Sequence, residues 1–279
     1  MNSVFFIVCL VCCSLFGSCR KSKGEHPRRC IYDHSTFAKV ALSASKDEEQ
    51  FSKFKRDPFF NLLWENYSFE EGQSWQRKIA EYPFLKEKFE LFRQVDQIGS
   101  PRTFHFGEAG VFSPSTLRLI ALTGDLSVKL GRVVNGNIIQ IGAGQGSWCK
   151  ILSDAVSFKS YVLVDLPEQL ALAKKCLERL GVKNVQFLTP EELPRRGVYD
   201  LVISDMSFSE FNRAHQELFF DRIISRSNFG YILGHEPPRH CGVAYMNFEE
   251  LKIQFEKIGK YEFQEPSNNR DYYYIYWKR

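Results

Sequence analysis

The chain predicts an α/β fold: a Rossmann-like, mostly parallel seven-stranded sheet that ends in a C-terminal β-hairpin and follows a helical N-terminal subdomain. Three observations predict it. Short apolar runs alternate with helix-period segments from residue 138 to residue 259. Glycines crowd the first junction between such a run and its helix, and the last two apolar runs are joined by a turn too short to hold a helix.

The apolar stretch at residues 4–18, VFFIVCLVCCSLFGS, carries no charge and ends at Cys19. Residues 1–19 read as a signal, lipoprotein or membrane-anchor segment. The stretch is short for a span, which needs roughly 20 residues. Its length suits the apolar core of a secretory signal, although Met1-Asn2-Ser3 lacks the usual basic residue. Leu15-Phe16-Gly17-Ser18-Cys19 resembles a loose lipoprotein box, with Cys19 as the lipidated residue. Lipoprotein or signal is the favoured reading. An uncleaved inner-membrane anchor, which the basic residues just after the segment would orient with the body in the cytoplasm, is the alternative. A start codon upstream of the true one is the third possibility. Membrane association through residues 1–19 is the expectation.

Residues 1–30 hold five Lys or Arg (Arg20, Lys21, Lys23, Arg28, Arg29) against Glu25, which accounts for the whole net charge of +4. The rest is balanced, so no basic footprint argues for nucleic acid. Cys149, Cys176 and Cys241 form no C-x-x-C pair, so neither a disulfide scaffold nor a metal site is indicated. Cys149 and Cys176 sit on apolar helix patterns and read as buried free thiols.

Residues 20–45 read as a linker and residues 46–130 as the helical subdomain. Phe54, Phe59, Phe60, Leu62, Leu63 and Trp64 form an aromatic and aliphatic cluster there, and Trp75 to Val95 has helical spacing interrupted near Pro83. Gly99-Ser100-Pro101 opens a loop, RTFHFGEAGVFSP, before a helix from Ser115 to Leu130. Residues 131–279 form the second domain. Its strands are expected at Ile138–Ile141, Tyr161–Val164, Val185–Leu188, Tyr199–Ile203 and Tyr231–Leu233. Pro167 suits the first turn of a helix that Gly181 ends. A long helical pattern runs from Ser209 to Ser225, and Asn247 with Glu250 makes a capping box for the helix ending near Gly259. The closing hairpin turns at Ser267-Asn268-Asn269.

The chemistry concentrates in residues 138–165. The first strand stops at Gly142-Ala143-Gly144-Gln145-Gly146, a helix follows, and the second strand ends on Asp165. Glycines let backbone approach a ligand, and a carboxylate about 20 residues on is placed to accept from ribose hydroxyls. The spacing is G-x-G-x-G rather than the dinucleotide G-x-G-x-x-G, with Ser147 where the last glycine or alanine would stand. That tighter turn suits S-adenosyl-L-methionine, which has no pyrophosphate to cradle. The terminal hairpin also outlines a class I methyltransferase fold better than a dehydrogenase, whose sixth parallel strand would need a crossover.

The segments DQIGSPRTFHFGEAGVFSPSTLR, IIQIGAGQGSWCKIL, YVLVDLPEQLALAKKCL and YDLVISDMSFSEFNR resemble the sugar O-methyltransferases of bacterial surface-polysaccharide loci. The similarity spans about residues 50–279. It implies a class I fold, S-adenosyl-L-methionine as methyl donor and a sugar or glycan hydroxyl as acceptor. Two positions depart from the pattern: Gln140 stands where an acidic residue is common, and GHEPPRH follows the fifth strand where a Tyr-Asn pair is expected. Gln140, Gly142, Ala143, Gly144, Gly146, Asp165, Leu166 and Ser204 are the expected cofactor-binding residues. Asp205, at the end of the fourth strand, His235, after the fifth, and His105, in the family-like loop, are the catalytic candidates, with His240 behind them. The expected function is therefore an S-adenosylmethionine-dependent O-methyltransferase. The alternatives are a non-catalytic, membrane-anchored binding protein that keeps the fold and an NAD-linked oxidoreductase.

Overall fold

A computed structural model describes residues 34–129, 136–235, 244–259, 261–264 and 272–279. The expected segment 1–19, Cys241, the turn at 267–269, and all of the GHEPPRH loop past His235, with His240, lie outside the described residues.

Helix α1 (His34–Lys46) comes first, and α2 (Phe69–Ile79) follows after several short helical turns. Two short strands, β1 (Phe104–His105) and β2 (Val111–Phe112), form a separate antiparallel pair. Helix α3 (Pro114–Lys129) then leads into the main sheet. Its strands are β3 (Asn137–Ile141), β4 (Ser160–Val164), β5 (Val185–Leu188), β6 (Leu201–Asp205), β7 (Phe229–His235), β8 (Tyr261–Gln264) and β9 (Tyr272–Lys278). Helices α4 (Ser147–Ala155), α5 (Pro167–Arg179), α6 (Arg213–Arg222) and α7 (Phe248–Glu256) connect them.

The strand order is β5-β4-β3-β6-β7-β9-β8. β3 to β7 are mutually parallel, while β9 runs antiparallel to both β7 and β8. The chain winds outward from β3 to β5, then returns to β6 beside β3. Such a switch point leaves a crevice at the carboxyl ends of the strands, because neighbouring connections leave in opposite directions.

Period-2 alternation loads both faces of the sheet. Ile139, Ile141, Val202 and Ile232 pack with Phe219 and Phe220 of α6 and with Leu251 and Phe255 of α7. Ile138, Leu163, Ile203 and Tyr231 pack with Trp148 of α4, Leu177 of α5 and Leu126 of α3. Cys149 and Cys176 are buried free thiols, as their apolar patterns imply.

Several boundaries differ from the sequence reading. Residues 34–45, assigned to a linker, fall in α1, whose Ala41 and Ala44 pack against Leu172 and Cys176 of α5. Small residues on one face permit that close approach, so a Ser/Ala-rich run that reads as a linker becomes packing surface. β6 runs on through Ser204 and Asp205 because Asp205 still pairs with Leu233. β7 reaches from Phe229 to His235 because β9 pairs along its full length. The pattern from Ser209 to Ser225 breaks into Ser207–Glu210, α6 and a terminal turn. Asn212 causes the break, since its side chain caps α6 by accepting from the His215 amide. The helix after Asn247 keeps its capping box.

The helical subdomain has its own core, in which Trp75, Ile79, Leu85, Phe92 and Phe112 surround Leu117 and Ile120 of α3. α3 therefore serves two cores, and it ties the subdomain to the sheet.

Candidate active site

Strand β3 ends where the glycine turn begins. Gly142 takes a φ of +89°, and its amide donates to the Val164 carbonyl at 2.8 Å. A Cβ there would lie 2.1 Å from the Ser207 side chain, so glycine is required by a protein neighbour as well as by its backbone angle. Gly144, with a φ of +50°, is different: among the described residues a built Cβ meets only the Trp64 ring, at 3.3 Å.

Asp165 follows β4 and braces this turn. Its carboxylate accepts from the Ala143 amide at 2.7 Å and from the Leu166 amide at 2.8 Å. Burial pushes its pKa up to about 6, while the amides of Leu166, Ala143 and Gly144 pull the other way. A carboxylate has about four lone-pair sites, so a ribose hydroxyl can share it with these amides. Leu166 sits at the N-terminus of α5. Gln140 is buried and bonded at both ends: its amide donates to the Gly142 carbonyl at 2.6 Å and accepts from the Tyr161 hydroxyl at 2.6 Å. Ser204 is buried and ties β6 to its neighbours, donating to Ile141 and accepting from the Phe208 amide, both at 3.0 Å.

Across the crevice, β6 turns sharply into Ser207–Glu210 through Met206, a non-glycine residue at φ +64°. Left-handed backbone of this kind costs energy and is held only where neighbours over-determine it. Here the Met206 amide donates to Leu233 at 2.7 Å and the Ser209 hydroxyl to the Met206 carbonyl at 2.6 Å.

The cleft between these edges is lined by Trp64, Tyr67, Arg118, the turn from Gly142 to Gln145, and Asp205, with Ser115 and Thr116 at its end. Arg118 grips Asp205 with two parallel contacts of 2.6 Å each. The start of α3 is held in place for this. Asp96 accepts from the Ser113 amide and from the Ser113 and Thr116 hydroxyls, each at 2.7 Å, and Ser115 donates to Glu65 at 2.6 Å. Burial works against the Arg118 charge, but the Asp205 carboxylate together with Tyr67 and Tyr231 more than offsets it and raises the guanidinium pKa well above its usual value.

The three catalytic candidates fare differently. Asp205 lines the cleft, but both oxygens are directed at Arg118. His235 is buried at the end of β7, with Nδ1 3.3 Å from the Ser209 hydroxyl, and burial lowers its pKa to about 4. It is therefore neutral near pH 7, and it is not among the residues lining the cleft. His105 is exposed on β1 and is not among the residues lining the cleft.

Two residues escaped the sequence reading. Burial, followed by the charges of Asp165 and Asp205, pushes the Glu210 carboxyl up to about 8. Glu210 thus belongs to the same field as both aspartates, and it also raises the hydroxyl of Tyr245 after that group's own burial. Arg118 was visible as a charge on an apolar helix pattern, but only the fold supplies its partner.

Among known proteins, a model of the FtsJ-like methyltransferase family matches residues 120–224. The protein-L-isoaspartate O-methyltransferase of Pyrococcus horikoshii is 25% identical over 129 residues, which cover 45% of this chain and 54% of that protein. Its counterpart from Pyrococcus abyssi is 25% identical over 130 residues, covering 45% and 55%. The chain thus spans about half the length of the curated relatives it matches. Among solved structures, a SAM-dependent methyltransferase from Aquifex aeolicus is 19% identical, covering 55% of this chain and 87% of that one, with a TM-score of 0.41. The N-terminal domain of EvdMO1, solved with SAH and D-fucose, is 17% identical, covering 56% and 79%, with a TM-score of 0.43. The architecture is the Rossmann-like α/β fold of class I methyltransferases, with a helical N-terminal region.

Proposed function

We propose that the protein is an S-adenosylmethionine-dependent O-methyltransferase whose acceptor is a sugar or glycan hydroxyl. The observation that carries the cofactor is the turn Gly142–Gly146 braced by Asp165, at the switch point of the sheet. The donor set fits the group. Asp165 offers lone pairs to ribose hydroxyls, Gly144 leaves the turn without a side chain, and the Gln145 Oε1 is buried with no hydrogen-bond partner among the described residues. When bound, S-adenosylmethionine supplies a sulfonium methyl for in-line transfer.

The chain's own residues then position the acceptor and move its proton. A sugar hydroxyl has a pKa far above neutrality, so it needs a proton acceptor within reach. His235 offers a neutral imidazole. Glu210 is largely protonated at pH 7 in the ligand-free protein, and a cationic cofactor beside it would favour its carboxylate form. Asp205 can serve only after release from Arg118. The acceptor class rests on the four family-like segments and on the balanced charge of residues 31–279. Membrane association through residues 1–19 rests on the uncharged stretch before Cys19. Protease accessibility in intact cells separates an exported lipoprotein from an inward-facing anchor.

The test is incubation of the full chain with methyl-labelled S-adenosylmethionine and a panel of sugars, sugar nucleotides and glycans. Label on a sugar hydroxyl is the expected result. Label on protein carboxyl groups alone would overturn the acceptor class. Tight cofactor binding without any transfer would instead support the non-catalytic binding protein.

A further inference from the structure

The proposed cofactor ends in a free amino acid, with a carboxylate and an ammonium on one carbon. The cleft wall already holds the complementary pair of charges. Arg118 and Asp205 face each other across it through two contacts of 2.6 Å, and both side chains are only 10% exposed. The cleft they share with the glycine turn has a volume of about 50 Å³, room for a few water molecules, and both charges are already engaged with each other. Tyr67 and Tyr231 wall the pair in: the guanidinium lies 5.8 Å from the Tyr67 ring centre, and the buried Tyr231 hydroxyl feels both charges.

We propose that the Arg118–Asp205 pair occupies the place of the cofactor's amino-acid end and opens on binding, so that Arg118 takes the ligand carboxylate and Asp205 the ligand ammonium. This rests on the reading of the cleft as the S-adenosylmethionine site. The exchange is charge for charge. A guanidinium fork matches any carboxylate in bidentate geometry, so Arg118 loses one such partner and gains another. A buried carboxylate stripped of its cation would be costly, and the ligand ammonium prevents that. Opening a shut pair subtracts from affinity, so only a ligand carrying both charges recovers the loss. The pair also links α3 to β6, so a direct strut between the helical region and the sheet becomes one bridged by ligand.

The test compares two ligands on the full chain by calorimetry. S-adenosylhomocysteine carries the amino-acid end; 5′-methylthioadenosine keeps the adenosine and the thioether but lacks it. Arg118→Gln should weaken S-adenosylhomocysteine by about 10- to 100-fold, as loss of charged hydrogen bonds implies. Binding of methylthioadenosine should stay the same or improve. Because Arg118→Gln leaves Asp205 without its cation and can fail to fold, Arg118→Gln/Asp205→Asn serves as a second, uncharged variant and should show the same selective loss. Arg118→Lys should recover part of it. Parallel loss of both ligands, or undiminished S-adenosylhomocysteine binding in a folded variant, would overturn the exchange while leaving the cofactor reading intact. A wild-type chain that binds neither ligand would overturn both.

Discussion

The two edges of the cleft are made of different materials. The glycine edge is backbone: amides of Gly142, Ala143 and Leu166 meet the Val164 carbonyl and the Asp165 carboxylate within a single β-helix-β unit. The opposite edge is buried side-chain charge, and its central pair joins residues 87 positions apart. An edge built from local backbone depends on φ angles and close contacts, so it answers mainly to changes of shape. An edge built from desolvated charge depends on neighbours brought in by the fold, so it answers to pH and to loss of a partner.

The largest effects should be on turnover, at the two groups offered as proton acceptors. His235→Ala or Glu210→Gln should reduce methyl transfer about 10²- to 10⁴-fold if the residue removed is the proton acceptor, with S-adenosylhomocysteine affinity nearly unchanged. His105→Ala should leave both quantities as they are, since His105 is exposed on β1, in a strand pair separate from the main sheet. A His235 or Glu210 variant that lost cofactor affinity along with turnover would instead make that residue part of the cofactor bed.

Next comes the shape of the backbone edge. Gly142→Ala puts a Cβ 2.1 Å from Ser207 at a left-handed φ and should destabilise by about 3 kcal/mol or more in chemical denaturation. Gly144→Ala should cost only about 1 kcal/mol in stability, because its Cβ meets just the Trp64 ring. Its effect should appear in cofactor binding instead, and Gly144→Val should deepen it. Equal destabilisation at the two positions would show that the turn is uniformly packed and leaves no side open to ligand. Asp165→Ala should weaken S-adenosylhomocysteine by roughly 1.5–3 kcal/mol, the worth of hydrogen bonds to a charged group.

The smallest effect is the most specific to the charged edge. Glu210 rises from 4.5 to about 8 on folding, so the folded chain holds its proton more tightly than the unfolded chain does. That stabilisation is complete below pH 4.5 and is lost as pH rises through 8. Asp165 acts with the same sign between 3.8 and about 6, and His235 with the opposite sign between about 4 and 6.5. Between pH 6.5 and 8.5 only Glu210 of these three contributes. The melting temperature of the ligand-free chain should fall by a few degrees over that interval, and Glu210→Gln should flatten the fall. A flat profile in the unaltered chain would remove Glu210 from the acidic field.

How much could be read from the sequence follows the same division. The first β-helix-β unit was legible because its signals are local: β-branched runs, glycines at fixed spacing, and an aspartate at a strand end. The hairpin was legible because two apolar runs lay too close together for a crossover. Arg118 was not, because a charge on an apolar helix gains meaning only from a partner on another element. Glu210 was hidden inside a longer helical pattern, which the Asn212 cap divides. Ser204 was expected at the cofactor, yet its hydroxyl is used within the protein, a choice set by the short helix that starts beside it. α1 was missed because alanine and serine in a helix interface look like a linker until the opposing helix is present.

Parallel titration of the full chain with S-adenosylhomocysteine and with NAD separates a methyl-donor cleft from a dinucleotide cleft. S-adenosylhomocysteine should bind in the micromolar range (about −8 kcal/mol) or tighter, with no heat from NAD. Binding of NAD, or of neither ligand by a folded chain, would contradict the methyl-donor reading.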